Sequence, residues 1–115
     1  MSITIYHNPR CSKSRQTMAL LTERGIEPEV IEYLKGSLTV DTLSKVLKKL
    51  GLGPRDVMRK GEAPYKELNL KDDSKTDQEL IQAIIDHPIL LERPIVISGG
   101  KAVIGRPPEN VLSII

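Results

Sequence analysis

The residues able to do chemistry are concentrated in Tyr6-His7-Asn8-Pro9-Arg10-Cys11-Ser12-Lys13-Ser14-Arg15, a stretch that holds the only cysteine of the 115-residue chain and one of its two histidines. In cysteine chemistry the thiolate is the nucleophile, so what matters is whether the surroundings favour the anion. Arg10, Lys13 and Arg15 favour it by charge. If Cys11 also stands at the mouth of a helix, the first backbone N–H groups have no intrahelical partner and favour it too. Cysteines in such settings have pKa values lowered from about 8.5 into roughly 3.5–7.5. Ser14 can offer its hydroxyl to the sulfur. A single cysteine closes no internal disulfide, so an oxidised or adducted Cys11 must be resolved by a thiol from another molecule. The competing reading is a small buried apolar residue, the common fate of a free cysteine. The polar and cationic neighbours favour a functional thiol.

The flanking segments supply the positioning. Ile3-Thr4-Ile5-Tyr6 alternates as a strand, and residues 12–24, with Met18, Leu20 and Leu21 at helical spacing before Gly25, read as a helix. Residues 29–34 are β-prone, completing a strand–helix–strand unit with parallel pairing and a right-handed crossover. Thr39 can cap a helix over 39–50 carrying Val40, Leu43, Val46, Leu47 and Leu50 and ended by Gly51. Pro54 opens a short helix through Arg59, which the Lys60–Pro64 stretch breaks; 65–70 is a further helical turn. Thr76 and Glu79 form a capping box for a helix to Asp86, with Leu80, Ile81, Ile84 and Ile85 turned inward and Pro88 beyond its end. Residues 95–98 and 101–104 around Gly99-Gly100 form a two-residue hairpin. A final helix, 109–114, is expected to lay Val111, Leu112 and Ile115 on the sheet. The order implies an α/β chain with a thioredoxin-like fold: a four-stranded mixed sheet and a helical insertion between a βαβ and a ββα half. It reads as one domain, 1–115, with the insertion over about 39–88.

Composition removes several function classes. The net charge is +2 with no basic block, and Phe and Trp are absent, which leaves neither the electrostatic footprint nor the stacking platforms of a nucleic-acid binder. No apolar run approaches the roughly 20 residues of a membrane span, and none follows a basic start as in a secretory leader. One cysteine and two distant histidines, His7 and His87, lack zinc spacing, so no metal site is expected. His87, before Pro88 at a helix end, suits a partner for the helix dipole. The chain reads as a cytoplasmic monomer in a reducing compartment.

The motif His7-Asn8-Pro9-x-Cys11-x-x-Ser14-Arg15 resembles the active-site loop of the glutaredoxin-dependent arsenate reductases. Leu68-Asn69-Leu70, His87-Pro88-Ile89-Leu90, Arg93-Pro94-Ile95-Val96 and Gly105-Arg106-Pro107-Pro108 are similar to that family as well, so the likeness spans essentially the whole chain. It implies the same fold, with Pro94 cis and Arg93 beside Cys11. It also implies reduction of arsenate to arsenite through a covalent Cys11 adduct, with glutathione as co-substrate, glutaredoxin as partner and no bound cofactor. The resemblance makes Cys11, His7 and Ser14 catalytic. It assigns Arg59, Arg93 and Arg106, with Arg15, to the oxyanion, whose geometry a planar guanidinium matches better than an ammonium. His7 either helps keep Cys11 ionised or holds the loop by a hydrogen bond; Asn8 and Pro9 shape the turn. Where better-characterised members commonly carry Gly-Thr, this chain has Ser12-Lys13, close to a Cys-Ser-Lys-Ser-Arg branch, and Lys13 adds charge at the entrance. Two other readings stand beside this one. The Cys-x-x-Ser pattern also fits a monothiol oxidoreductase that resolves glutathione mixed disulfides. Relatives of the fold include Spx-like interaction proteins, although their Cys-x-x-Cys switch is absent here.

Overall fold

The computed structural model describes residues 2–115. In chain order the elements are β1 (Ile3–Tyr6), α1 (Ser12–Glu23), β2 (Glu29–Ile31), α2 (Val40–Leu50), α3 (Ala63–Glu67), α4 (Asp77–Asp86), β3 (Ile95–Ser98) and β4 (Lys101–Ile104). Tight 3-10 turns lie at Tyr33–Lys35, Pro54–Val57, Pro88–Leu90 and Pro108–Ser113. They divide into two compact units, one running through Ser37 and resuming at Arg93–Ile115, the other Leu38–Glu92.

The first unit carries the sheet, in the order β2-β1-β3-β4. β1 runs parallel to β2 and antiparallel to β3, and β3 pairs antiparallel with β4 across the Gly99-Gly100 turn. A parallel pair needs a crossover, and α1 is that connection. The mixed sheet with this crossover is the expected thioredoxin-like fold. Alternation along β1 buries Ile3 and Ile5, which join Leu21 of α1 with Val96 and Val111 in an aliphatic core.

Two expectations for this unit change. β2 stops at Ile31 rather than at residue 34, because Tyr33–Lys35 winds into a 3-10 turn that buries the Tyr33 ring and ends on Gly36 at φ +88°. The C-terminal segment is a 3-10 turn, not an α-helix, and side chains three apart share a face in that geometry. Val111 is buried and Ile114 packs beside the core, while Leu112 and Ile115 remain 37% and 36% exposed.

The second unit is helical. Thr39 caps α2 by accepting the Thr42 N–H at 3.1 Å, and Gly51 closes it at φ +70°. The capping box of α4 is complete, with Thr76 and Glu79 exchanging bonds at 3.1 and 3.2 Å. That helix buries Leu80, Ile81, Ala83 and Ile84, with Ile85 only half-buried. The helix expected from Pro54 through Arg59 ends at Val57, because Met58 leaves it to form an antiparallel bridge with Leu91. α3 begins inside the stretch read as a breaker, since Pro64 falls in the first turn, where its missing N–H costs nothing. Among the described residues no helix is long and apolar enough to cross a membrane.

Candidate active site

Between the end of β1 and the start of α1 the chain makes a turn held by its own polar groups. The His7 N–H extends the sheet by donating to the Ile31 carbonyl at 2.9 Å. Buried Asn8 accepts the Arg10 N–H on its side-chain oxygen and the Cys11 N–H on its carbonyl, each at 3.0 Å. This Asx-type turn delivers Cys11 with extended backbone to the N-cap of α1, where its carbonyl accepts the Arg15 N–H at 3.0 Å.

Sheet register explains which distant residues meet it. Tyr6 lies opposite Ile95, and Ile95 lies opposite Ile104. The residues just after β1, just before β3 and just after β4 therefore share one end of the sheet. These are the Cys11 turn, Arg93-Pro94 and Gly105-Arg106. Arg106 Nη1 stands 3.7 Å from Cys11 Sγ and donates to the Arg93 carbonyl at 3.0 Å. The Arg93–Pro94 peptide is cis, as the resemblance implies, and so is Arg106–Pro107, which nothing in the sequence singled out.

Burial of Cys11 acts to raise its pKa, but the balance falls below the ordinary thiol value. The Ser14 and Lys13 backbone N–H groups and the Arg93 and Arg106 guanidiniums all favour the thiolate. The amides act as dipoles facing the sulfur rather than through a closed capping bond.

Ser14 is placed differently from the sequence reading. Its buried Oγ lies 2.6 Å from His7 Nδ1 and accepts the Asn8 N–H at 3.1 Å, so the hydroxyl serves the turn. What Ser14 contributes at the sulfur is its backbone N–H. Of the two readings for His7, the loop-holding hydrogen bond is the one formed. Burial lowers the His7 pKa, Glu32 opposes that and Arg15 adds to it, so the imidazole is biased toward its neutral form. The Arg15 guanidinium donates to the Pro9 carbonyl at 2.9 Å, bracing the outer side of the turn. His87 ends α4, its N–H donating to the Ala83 carbonyl at 2.9 Å.

Arg59 belongs to the Leu38–Glu92 unit. Its Nη1 donates to Glu92 at 2.7 Å and its Nε to Glu62 at 3.2 Å. Burial would lower its pKa, but the two carboxylates outweigh that and raise it.

Gly105 was read only as part of a family-like motif, without a role of its own. Its N–H donates to the Pro94 carbonyl at 2.9 Å, and a Cβ there would fall 2.8 Å from Thr17 Oγ1 and 2.9 Å from Pro94 Cγ. The available signal was a glycine immediately before a candidate arginine. A cavity of about 980 Å³ opens at the opposite end of the sheet among Ile3, Ile26, Ile114 and Ile115, away from the thiol. Among the described residues no cluster of three or more His, Cys, Asp or Glu could hold a metal ion.

The ArsC family model matches residues 6–114. A protein of Escherichia coli K12 called uncharacterized protein YfgD is 56% identical over 98% of this chain and 96% of its own length. A Haemophilus influenzae protein named arsenate reductase is 51% identical with both chains fully covered. The solved structure of an arsenate reductase from Vibrio cholerae superposes with a TM-score of 0.97 at 52% identity, covering 100% of this chain and 98% of that one.

Proposed function

The chain belongs to the ArsC family, and from that premise we propose that it reduces arsenate to arsenite with Cys11 as nucleophile. The observation that carries the reading is a thiol at a helix mouth whose anion is favoured by two guanidiniums, Arg93 and Arg106. The relatives named arsenate reductases support the substrate.

The Cys11 thiolate attacks arsenic; a sulfur–arsenic bond forms and an arsenic–oxygen bond breaks, its oxygen leaving as water after protonation. Arg93 and Arg106 hold the remaining oxygens and stabilise the charge on them. Glutathione, a co-substrate rather than a resident cofactor, adds its thiolate to arsenic and displaces a second water. A glutaredoxin thiol then attacks the glutathione sulfur, forming a mixed disulfide. The electron pair of the broken arsenic–sulfur bond stays on arsenic, which passes from the pentavalent to the trivalent state as its oxo group takes a proton. Water displaces Cys11 and releases arsenite. Two thiols are oxidised for each arsenate reduced, one water is produced net, and Cys11 is regenerated. The bonds that Ser14, His7 and Arg15 make to the turn keep Cys11 at the helix mouth throughout. One chain supplies the nucleophile and both arginines, so the reading needs no second copy, and its thiol supply fits a reducing compartment such as the cytoplasm.

The test is coupled turnover with glutathione, glutaredoxin and an NADPH-dependent reductase. Arsenate-dependent NADPH consumption is expected, and it is lost in Cys11→Ser and on omitting either thiol component. A wild-type protein with a titratable reactive thiol and no arsenate-dependent turnover sinks the reading.

A further inference from the structure

We propose that the Leu38–Glu92 unit carries a ligand site of its own, for a compact polyanion built of phosphoryl groups. A cavity of about 360 Å³ in this unit is lined by Lys60, Tyr65, Lys66, Asn69 and Lys71. Three of these residues carry an ammonium group, none carries a carboxylate, and the phenol of Tyr65 and the amide of Asn69 can donate hydrogen bonds. The volume falls at the lower end of the roughly 300–1,000 Å³ of small-molecule pockets.

Local hydrogen bonding brings these residues to one place. α3 ends in a Schellman cap, in which the Leu70 N–H donates to the Tyr65 carbonyl at 3.0 Å and the Asn69 N–H to that of Lys66 at 3.1 Å. Asn69 takes the left-handed conformation this cap needs, at φ +52°, and buried Leu70 anchors it. The turn sets Asn69 and Lys71 beside Tyr65 and Lys66 instead of extending the helix past them. The Arg55 guanidinium holds the turn from its other side, donating to the Leu70 carbonyl at 2.7 Å and to that of Asp72. Lys60 arrives from a separate segment, tied down where the Arg59 N–H donates to the Leu90 carbonyl at 2.6 Å.

Nearby carboxylates are engaged elsewhere. Glu62 pairs with Arg59, and Asp72 accepts both the N–H and the hydroxyl of Ser74. Among the described residues the lysines in ion pairs are Lys35, with Glu32, and Lys45, with Asp41. Like charges held round one cavity repel, and an anion of several charges relieves that repulsion more than a single charge does. Lysine meets phosphate as a point charge, and a chain of phosphoryl groups can reach ammoniums on two segments at once. The half-buried Tyr65 adds an aromatic wall on which a nucleoside can lie, so the phosphoryl groups come free or on a nucleotide.

A residue-resolved amide NMR titration with sodium tripolyphosphate, ATP and citrate tests this at constant ionic strength and without divalent cations. The amides of Tyr65, Lys66, Asn69 and Lys71 are expected to shift along one saturating curve with tripolyphosphate or ATP. The double variant Lys66→Gln, Lys71→Gln is expected to raise the half-saturating concentration about tenfold or more. The double variant Lys45→Gln, Lys48→Gln removes the same charge from exposed positions of α2 and is expected to leave it within about twofold. ATP saturating at the lower concentration assigns the phosphoryl groups to a nucleotide, and tripolyphosphate doing so assigns them to a free chain. No saturable shift at these amides overturns the proposal, and that observation needs no variant to fold. Equal weakening in the two double variants also overturns it, because binding then follows net charge and not this cavity. Citrate saturating at or below the concentrations of both phosphate compounds overturns the phosphoryl class.

Discussion

At Cys11 two opposing effects meet: burial resists the charged form, while two amides and two guanidiniums favour it and win. The rate of Cys11 alkylation should therefore rise with pH through a midpoint below that of an ordinary thiol. Arg106→Met should move that midpoint up, because a cation 3.7 Å from the sulfur is lost. Ser14→Ala should move it far less, since the hydroxyl is spent on His7 and Asn8. For stability the sign follows from the lowered value. The thiolate's contribution is complete above the unfolded thiol pKa and is lost as pH falls through the folded one. His7 is also lowered, so the folded state prefers the neutral ring. Its contribution is complete above the unfolded imidazole value of 6.5 and is lost as pH falls through the folded value. An NMR titration should place the His7 midpoint below 6.5, lower still in Glu32→Gln and higher in Arg15→Gln, because Glu32 raises it and Arg15 lowers it. That the surroundings of Cys11 favour its thiolate was legible from its neighbours. The partner of the Ser14 hydroxyl was not, because three residues along a helix brings a side chain near several acceptors and distance alone chooses among them.

Elements whose logic is local were read correctly from sequence: the Thr39 cap, the Thr76–Glu79 box and the Gly99-Gly100 hairpin each depend on residues within a few positions. Thr39→Ala should cost about 1 kcal/mol in chemical denaturation without changing Cys11 alkylation, since it removes one capping bond in the helical unit. What depends on packing between distant segments was missed. The early end of β2, the exposure of Leu112 and Ile115, and the commitment of Arg59 to a carboxylate 33 residues away have no local signature. Gly105 is of the same kind. Gly105→Ala puts a methyl group against Thr17 and Pro94 at distances that real side chains do not tolerate. It should destabilise the fold by about 1–3 kcal/mol. It should also lower the reactivity of Cys11, because the displaced Pro94 follows Arg93; thermal denaturation and alkylation kinetics measure the two effects separately.

The chain has no Phe or Trp and three tyrosines, and its buried residues are mostly aliphatic, with Tyr6 and Tyr33 the buried rings, so much of the stability rests on many small contacts. If the chain unfolds as the one domain the sequence implies, loss of far-UV circular dichroism and return of the Cys11 alkylation midpoint to that of an ordinary thiol should coincide in a urea titration; separated midpoints would show units that unfold independently. The general fold was readable because alternation and turn chemistry repeat along the chain, whereas the meeting of three segments at one sheet end emerges only from strand register. That meeting has a consequence for the protein's synthesis. Arg106 lies 95 positions from Cys11, so the chain must be made past β4 and the sheet closed before the second guanidinium reaches the sulfur. Until then Cys11 lacks the guanidiniums of Arg93 and Arg106, and its thiolate is less favoured than in the folded protein. The thiolate is therefore fully favoured only when folding is complete, and a chain whose sheet has not closed lacks that part of the effect.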